Sequence, residues 1–477
     1  MNTHRLLSFV LVLAALFIFP KDAGAKASAK PNVIIIFADD LGWGDLGCYG
    51  QKKYTTPHLD RMAAEGARLT DFYSAAPFCA PSRAALLTGR YQFRSGMTQN
   101  PAPDEPNRSG FGIPQDEVML GELFQKAGYR TACVGKWHLG HTPEYYPQRH
   151  GFHEYLGILY SNDMRPVQIL NGTNVVEYPV IQANLTKKYT ARALQFVEKN
   201  KSRPFFLYLP HAMPHKPLAA SEDFYKKSGA GLYGDVIQEL DWGVGEVFRK
   251  LKQLKLDEKT LVFFTSDNGA WYGGDNGGLR GMKSTTWEGG IRVPLLAWWP
   301  GKISPGHVSR QPAIMMDLFV TSLVAAGIQP PQDRVLDGRD ILPLLTGNAP
   351  SPHEFLFSMR GDELKTIRSG KWKLHGSPPG PGGKFKPMSP DEKWVDKRGP
   401  DGVTIIAQYE QGHPSDYPGV YTGDDGKVGA LFDLESDPAE QHDVSGKYPE
   451  VANKLKARFD QMNQEVKTEL ARRKGTQ

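Results

Sequence analysis

Three uninterrupted apolar runs, each ending in polar residues, constrain this chain more than any other feature. Residues 32–38 read Asn-Val-Ile-Ile-Ile-Phe-Ala and run into Asp39-Asp40. Residues 261–265 read Leu-Val-Phe-Phe-Thr and run into Ser266-Asp267-Asn268-Gly269, and residues 205–209 read Phe-Phe-Leu-Tyr-Leu and lead to Pro210 and His211. A strand that is apolar at successive positions has both faces covered, as a central parallel strand between two helical layers does. Helix-like segments at 59–66, 119–127, 190–199 and 233–254 separate the runs. That alternation predicts a doubly wound α/β domain. In such sheets ligands bind beyond the carboxyl ends of the strands, so the polar ends should converge on one site.

The pattern changes near Leu344-Leu345-Thr346-Gly347. Short strand-like pieces at 366–368, 372–374 and 431–434 and a helix over 448–467 predict a smaller α+β domain at 348–477, with a Pro/Gly-rich surface insertion at 376–390. The α/β domain is assigned to 26–347. Residues 1–25 carry His4 and Arg5, an apolar stretch over 6–19, then Pro20 and Ala23-Gly24-Ala25. They read as a secretory leader with a small-residue cleavage site, too short for a membrane span. An exported protein without a stable membrane anchor is expected, periplasmic or secreted, or lysosomal in a eukaryotic host. The 57 Lys and Arg against 52 Asp and Glu give a net charge of +5 with no basic block, which argues against nucleic acid as a partner. Cys48, Cys79 and Cys133 make no disulfide framework; Cys48 and Cys133 read as free thiols.

Chemistry concentrates in a few strings. Cys79-Ala80-Pro81-Ser82-Arg83 places a reactive side chain and a cation four residues apart on one helical face, with free N–H donors at the helix start and Gly89 as C-cap. That geometry handles an anion. The adjacent carboxylates Asp39 and Asp40, with Asp267 and Asn268 closing a second strand, supply hard oxygen donors suited to Ca²⁺ or Mg²⁺. Lys136-Trp137-His138 follows a strand-like segment, where alternation would put Lys136 and His138 on one face. His211 and His215 follow the third apolar run, and Glu288 and Arg292 are spaced as an i,i+4 pair.

These strings resemble the signatures of the type I, formylglycine-dependent sulfatases. Residues 79–89 match C-x-P-S-R-x-x-x-L-T-G at every fixed position. Asp39-Asp40-Leu41-Gly42-Trp43-Gly44-Asp45 is similar to the N-terminal motif, and Gly135-Lys136-Trp137-His138-Leu139-Gly140 to the second signature. The strings at 60–66 and 287–290 are most similar to the branch of arylsulfatase A and N-acetylgalactosamine-6-sulfatase. The resemblance spans about 31–347 and implies a large, doubly wound mixed sheet of alkaline-phosphatase-like type. It also implies that a formylglycine-generating enzyme converts Cys79 to formylglycine, whose hydrate is the nucleophile. It selects one Ca²⁺, in preference to Mg²⁺, held by Asp39, Asp40, Asp267, Asn268 and residue 79. Arg83, Lys136 and Lys283 would neutralise the sulfate, and Ser161 would touch it. His138 would orient or deprotonate the hydrate, and His215 or Lys283 would protonate the leaving alcohol. His211 receives no role. The expected substrate is a sulfated carbohydrate, with aryl sulfates as surrogates. Two alternatives stand beside this: a phosphate or phosphonate ester hydrolase of the same superfamily, and a non-catalytic sulfated-glycan binding protein with unmodified Cys79. Sugar, linkage, sulfate position and oligomeric state are open.

Overall fold

The computed structural model describes residues 30–380, 387–393, 405, 406, 408 and 410–475. The expected leader at 1–25 and part of the expected insertion, 381–386, lie outside the described residues. Six strands, β1 (Asn32–Ala38), β2 (Ala67–Tyr73), β3 (Arg130–Val134), β4 (Phe205–Pro210), β5 (Thr260–Ser266) and β6 (Arg292–Trp298), form the middle of an 11-stranded mixed sheet in the order β2-β6-β5-β1-β4-β3. β5, β1, β4 and β3 are parallel, and β6 runs antiparallel to β5 and β2. Glu154–Gly157, Ile169–Asn171 and Asn174–Glu177 extend the sheet beyond β3, while His307–Ser309 and Ala313–Ile314 pair with β2.

Every residue of β1 is buried, and the strand's alternation divides the core in two. Ile34, Ile36 and Ala38 pack with α1 (Pro57–Glu65), α4 (Leu185–Lys199) and α5 (Gly231–Gln253). Val33, Ile35 and Phe37 pack with α2 (Cys79–Thr88), α3 (Leu120–Lys126) and α6 (Asp317–Ala325). The helix expected over 190–199 begins earlier, at Leu185: Leu185 and Tyr189 are buried, and the polar Thr186-Lys187-Lys188 between them hides that face in the sequence. Register decides the functional consequence. Phe37 pairs with Thr265 and Ala38 with Ser266, so Asp39-Asp40 emerges beside Asp267-Asn268 at one end of the sheet.

A second, antiparallel sheet contains Leu356–Arg360, Glu363–Ser369, Trp372–His375 and Leu431–Asp433. The first of these strands was not expected from the sequence. Helix α7 (Pro449–Gly475) covers the sheet with Leu455, Phe459, Met462 and Val466, in a cluster that also takes in Tyr73, Ile291 and Ile314 of the larger domain. A buried ionic network joins the two sheets. Lys373 Nζ lies 2.9 Å from Glu288 Oε1 and 3.0 Å from Glu440 Oε1, Tyr73 Oη donates to Glu288 Oε2 at 2.6 Å, and Arg368 and Arg292 pair with Asp71 at 2.7 and 2.8 Å. Arg292 also reaches Glu288, at 3.5 Å. The three cysteines are free thiols, with Cys48 half-buried and the other two buried. Among the described residues no helix is long and apolar enough to cross a membrane.

Candidate active site

The site forms where the parallel strands end. Asp39 and Asp40 leave β1, Asp267 and Asn268 leave β5, and the first turn of α2 faces them, all buried. Asp40 takes a left-handed backbone, φ 66°, which lets its N–H donate to Asp267 Oδ1 at 3.1 Å; aspartate tolerates that conformation better than most residues. Helix α2 is buried along its whole length and closes on Gly89 at φ 71°, a conformation that suits glycine. Its Cys79 and Arg83 meet on one oxygen: Asp39 Oδ1 accepts from Cys79 Sγ at 3.4 Å and lies 3.5 Å from Arg83 Nη2. Arg83 also binds Asp267 Oδ2 at 2.8 Å.

Two lysines complete the cluster. Lys136 Nζ donates to Asp39 Oδ2 at 2.5 Å and to Ser161 Oγ at 3.1 Å. Lys283 Nζ lies 2.7 Å from Asp40 Oδ1. Burial alone would raise Asp39, but Lys136, Arg83, His215 and Lys283 outweigh it and hold the carboxyl well below its usual range. Asp267 goes the other way: burial and the neighbouring Asp39 push it up to about 7 against the pull of Arg83. Burial likewise raises the Cys79 thiol well above its usual value despite Lys136 and Lys283. An unmodified thiol here is a poor source of thiolate.

His138 does not continue a strand, contrary to the alternation argument. β3 stops at Val134, and His138 has φ 59° in the loop beyond. Burial, then Lys136 and Arg83, lower its pKa well below the ordinary value, so the ring is neutral near pH 7. Its Nε2 is 3.3 Å from the Pro101 carbonyl, which makes Nε2 the donor. Nδ1 is then the acceptor, buried and with no hydrogen-bond partner.

The two other histidines separate cleanly. His215 Nδ1 donates to the Lys216 carbonyl at 2.6 Å, Nε2 lies 3.8 Å from Asp40 Oδ2, and Ser161 Oγ is 3.5 Å from the ring nitrogens. His211 instead sits in the core, its ring 6.3 Å from that of Tyr189, and burial lowers its pKa to about 3. The eleven residues to which the resemblance assigns a role therefore fall in one buried cluster, while His211, Glu288 and Arg292 lie outside it. Sequence reasoning missed Asn100, whose Oδ1 accepts the Ala80 N–H at 2.9 Å at the start of α2; no motif marks it.

The residues present fit a bound cation. Ligand atoms of Asp39, Asp40, Cys79 and His215 lie within 4.8 Å of one another, the one such group among the described residues. Asn268 Nδ2 donates to Asp40 Oδ1 at 2.8 Å, while its Oδ1 is buried beside these carboxylates with no hydrogen-bond partner among the described residues. An orphaned buried oxygen next to acids is what a cation would take up.

Compared with known proteins, residues 31–328 match the sulfatase family model. N-acetylgalactosamine-6-sulfatase of Canis lupus familiaris is 44% identical over 379 residues, 74% of this chain and 72% of that protein. Arylsulfatase A of Bos taurus is 43% identical over 390 residues, 74% of this chain and 76% of that protein. The crystal structure of the PsFucS1 sulfatase from Pseudoalteromonas sp. is similar with a TM-score of 0.76 at 26% identity, covering 94% of this chain and 92% of that one.

Proposed function

The chain belongs to the sulfatase family and is a hydrolase of sulfate esters, and from that premise we propose that it cleaves the sulfate ester of a carbohydrate with a nucleophile made from Cys79. The observation that carries the proposal is the convergence of Cys79 and Arg83 on Asp39 Oδ1, with Lys136 and Lys283 on the flanking carboxylate oxygens. The preference for a sugar follows the names of the relatives, one of which is an N-acetylgalactosamine-6-sulfatase.

A sulfate ester is a monoanion whose cleavage builds charge on the bridging oxygen. The site must neutralise the sulfuryl oxygens and protonate the leaving alkoxide. Arg83, Lys136 and Lys283 supply three cations in a buried setting, where electrostatic contacts are stronger than in bulk water. Ser161, within reach of Lys136 and His215, would hydrogen-bond a sulfuryl oxygen. His215, protonated at Nε2 as well as at the carbonyl-bound Nδ1, would with Lys283 deliver a proton to the departing alcohol, and Asp40, 3.8 Å from Nε2, would favour that form. His138, neutral and with an accepting Nδ1, suits the opposite task of removing one. Asp39, Asp40, Asp267 and Asn268, with residue 79, would hold one Ca²⁺, which supplies Lewis-acid charge stabilisation at the reacting oxygens. Formylglycine at residue 79, installed by a formylglycine-generating enzyme, supplies a geminal diol whose second hydroxyl gives the exit that serine lacks.

Export through the leader at 1–25 is part of the same proposal. The test is sulfate release from a panel of sulfated monosaccharides and an aryl sulfate, beside the phosphate ester of the same aryl alcohol. Sulfate release supports the reading; phosphate release without sulfate release contradicts it.

A further inference from the structure

Arg360 belongs to the small sheet, yet its side chain reaches the loop of the larger sheet's domain that carries Lys283. Its Nε donates to the carbonyl of Ser284 at 2.9 Å. Ser284 directly follows Lys283, takes φ 74°, and donates its own N–H to Pro77 O at 2.8 Å, two residues before Cys79. The turn after Arg360 rests on the segment that follows α2. Gln92 Nε2 donates to Gly361 O at 3.3 Å, and a Cβ on Gly361 would come 3.9 Å from the carbonyl of Thr98, close in sequence to Asn100.

The cations of the catalytic cluster are paired with carboxylates: Arg83 with Asp267 and Asp39, Lys136 with Asp39, Lys283 with Asp40. Arg360 is not. Among the described residues its Nη1 and Nη2 make no hydrogen bond or ion pair, and they are not sealed from solvent. The acid across the hairpin, Glu363, pairs with Lys365 instead. A guanidinium fixed through Nε on a backbone carbonyl has lost most of its side-chain freedom already, and its terminal fork matches the two oxygens of a carboxylate or sulfate.

We propose that Arg360 binds a second anionic group of the substrate, a further sulfate or a uronate carboxylate on the glycan, beside the ester that is cleaved. The inference rests on the sulfatase reading above and adds to it that the preferred glycan carries at least two negative groups. A charge-assisted hydrogen bond contributes about 1.5–3 kcal/mol, which corresponds to roughly a 10- to 100-fold preference.

The test compares the parent enzyme, R360Q and R360K in steady-state sulfate release from four substrates: an aryl sulfate, a monosulfated neutral sugar, a disulfated monosaccharide and a sulfated disaccharide bearing a uronate. R360Q is expected to lose about tenfold more kcat/KM on at least one of the doubly anionic substrates than on the aryl sulfate, mainly through KM, and R360K to recover part of that difference. Which of the two doubly anionic substrates suffers identifies the oxyanion. Equal losses on all four substrates would reduce Arg360 to a clamp on Ser284 and overturn the proposal, as would no loss on any, or a parent enzyme inactive on both doubly anionic sugars. A parent enzyme that releases no sulfate from any of the four overturns the sulfatase reading itself.

Discussion

Replacing Lys373 by methionine would remove the cation at the centre of the network that joins the two sheets while keeping most of the side-chain volume. Lys373 Nζ sits 2.9 Å from Glu288 Oε1, 3.0 Å from Glu440 Oε1 and 2.9 Å from the Thr286 carbonyl, all buried. Burial alone would raise Glu288, but Lys373, Arg292 and Arg368 outweigh it and hold the carboxyl at about 2. A carboxyl displaced from 4.5 to about 2 corresponds to ~3 kcal/mol of folding stability. Because the folded-state pKa is depressed, that stability is present above pH 4.5 or so and is lost only as pH falls toward 2. Breaking a buried pair by removing one partner costs about 3–5 kcal/mol, since the remaining charge stays desolvated. K373M should therefore be destabilised by about 3–5 kcal/mol at pH 7.5 in urea titration. The deficit should shrink as the pH is lowered, because protonating the stranded carboxylates relieves it. A deficit below ~1 kcal/mol at pH 7.5, or one that grows in acid, would refute this reasoning.

Three further outcomes are expected. Cys79→Ala abolishes sulfate release while its melting curve stays close to the parent's, and Cys79→Ser gives no sustained turnover; parent-like turnover in either contradicts the role of residue 79. Chelation with EGTA lowers both activity and melting temperature, and added Ca²⁺ restores them; an enzyme indifferent to chelator has no exchangeable metal in the acidic cluster. His215→Asn lowers kcat by roughly 10²–10⁴-fold on an aryl sulfate, whereas His211→Asn, altered in the core near Tyr189, retains parent-level kcat per folded molecule. The reverse ranking would reassign the histidines.

The fold was legible where burial writes a simple pattern. β1 is apolar at successive positions because both its faces are covered, and its Asp-Asp end stood out against that run. The doubly wound α/β domain followed from the same logic, while the mixed character of its sheet came only with the family resemblance. What the sequence withheld depends on backbone conformation or on distant partners. His138 looked like a strand residue because alternation cannot show a left-handed turn at φ 59°. Spacing alone did not separate His211 from His215, since the difference lies in which face of the post-β4 segment meets Tyr189 and which meets Asp40. The Glu288–Arg292 spacing suggested a local pair, but the shorter contacts of both residues are to Lys373 and Asp71. Arg360, Lys373 and Glu440 carry no local signal at all: the small sheet delivers them to the larger domain only after folding.

The central claim is that an aldehyde made from Cys79 turns over sulfate esters, and it is tested most directly by measuring aldehyde occupancy and activity on the same samples. Preparations matured to different extents would be assayed for sulfate release, and the peptide spanning residue 79 would be quantified by mass spectrometry with aldehyde trapping. The account predicts that kcat per total protein rises in proportion to the formylglycine fraction and extrapolates to zero when residue 79 is cysteine. Full activity from unconverted protein, or no sulfate release from fully converted, calcium-loaded protein on any ester offered, would contradict it.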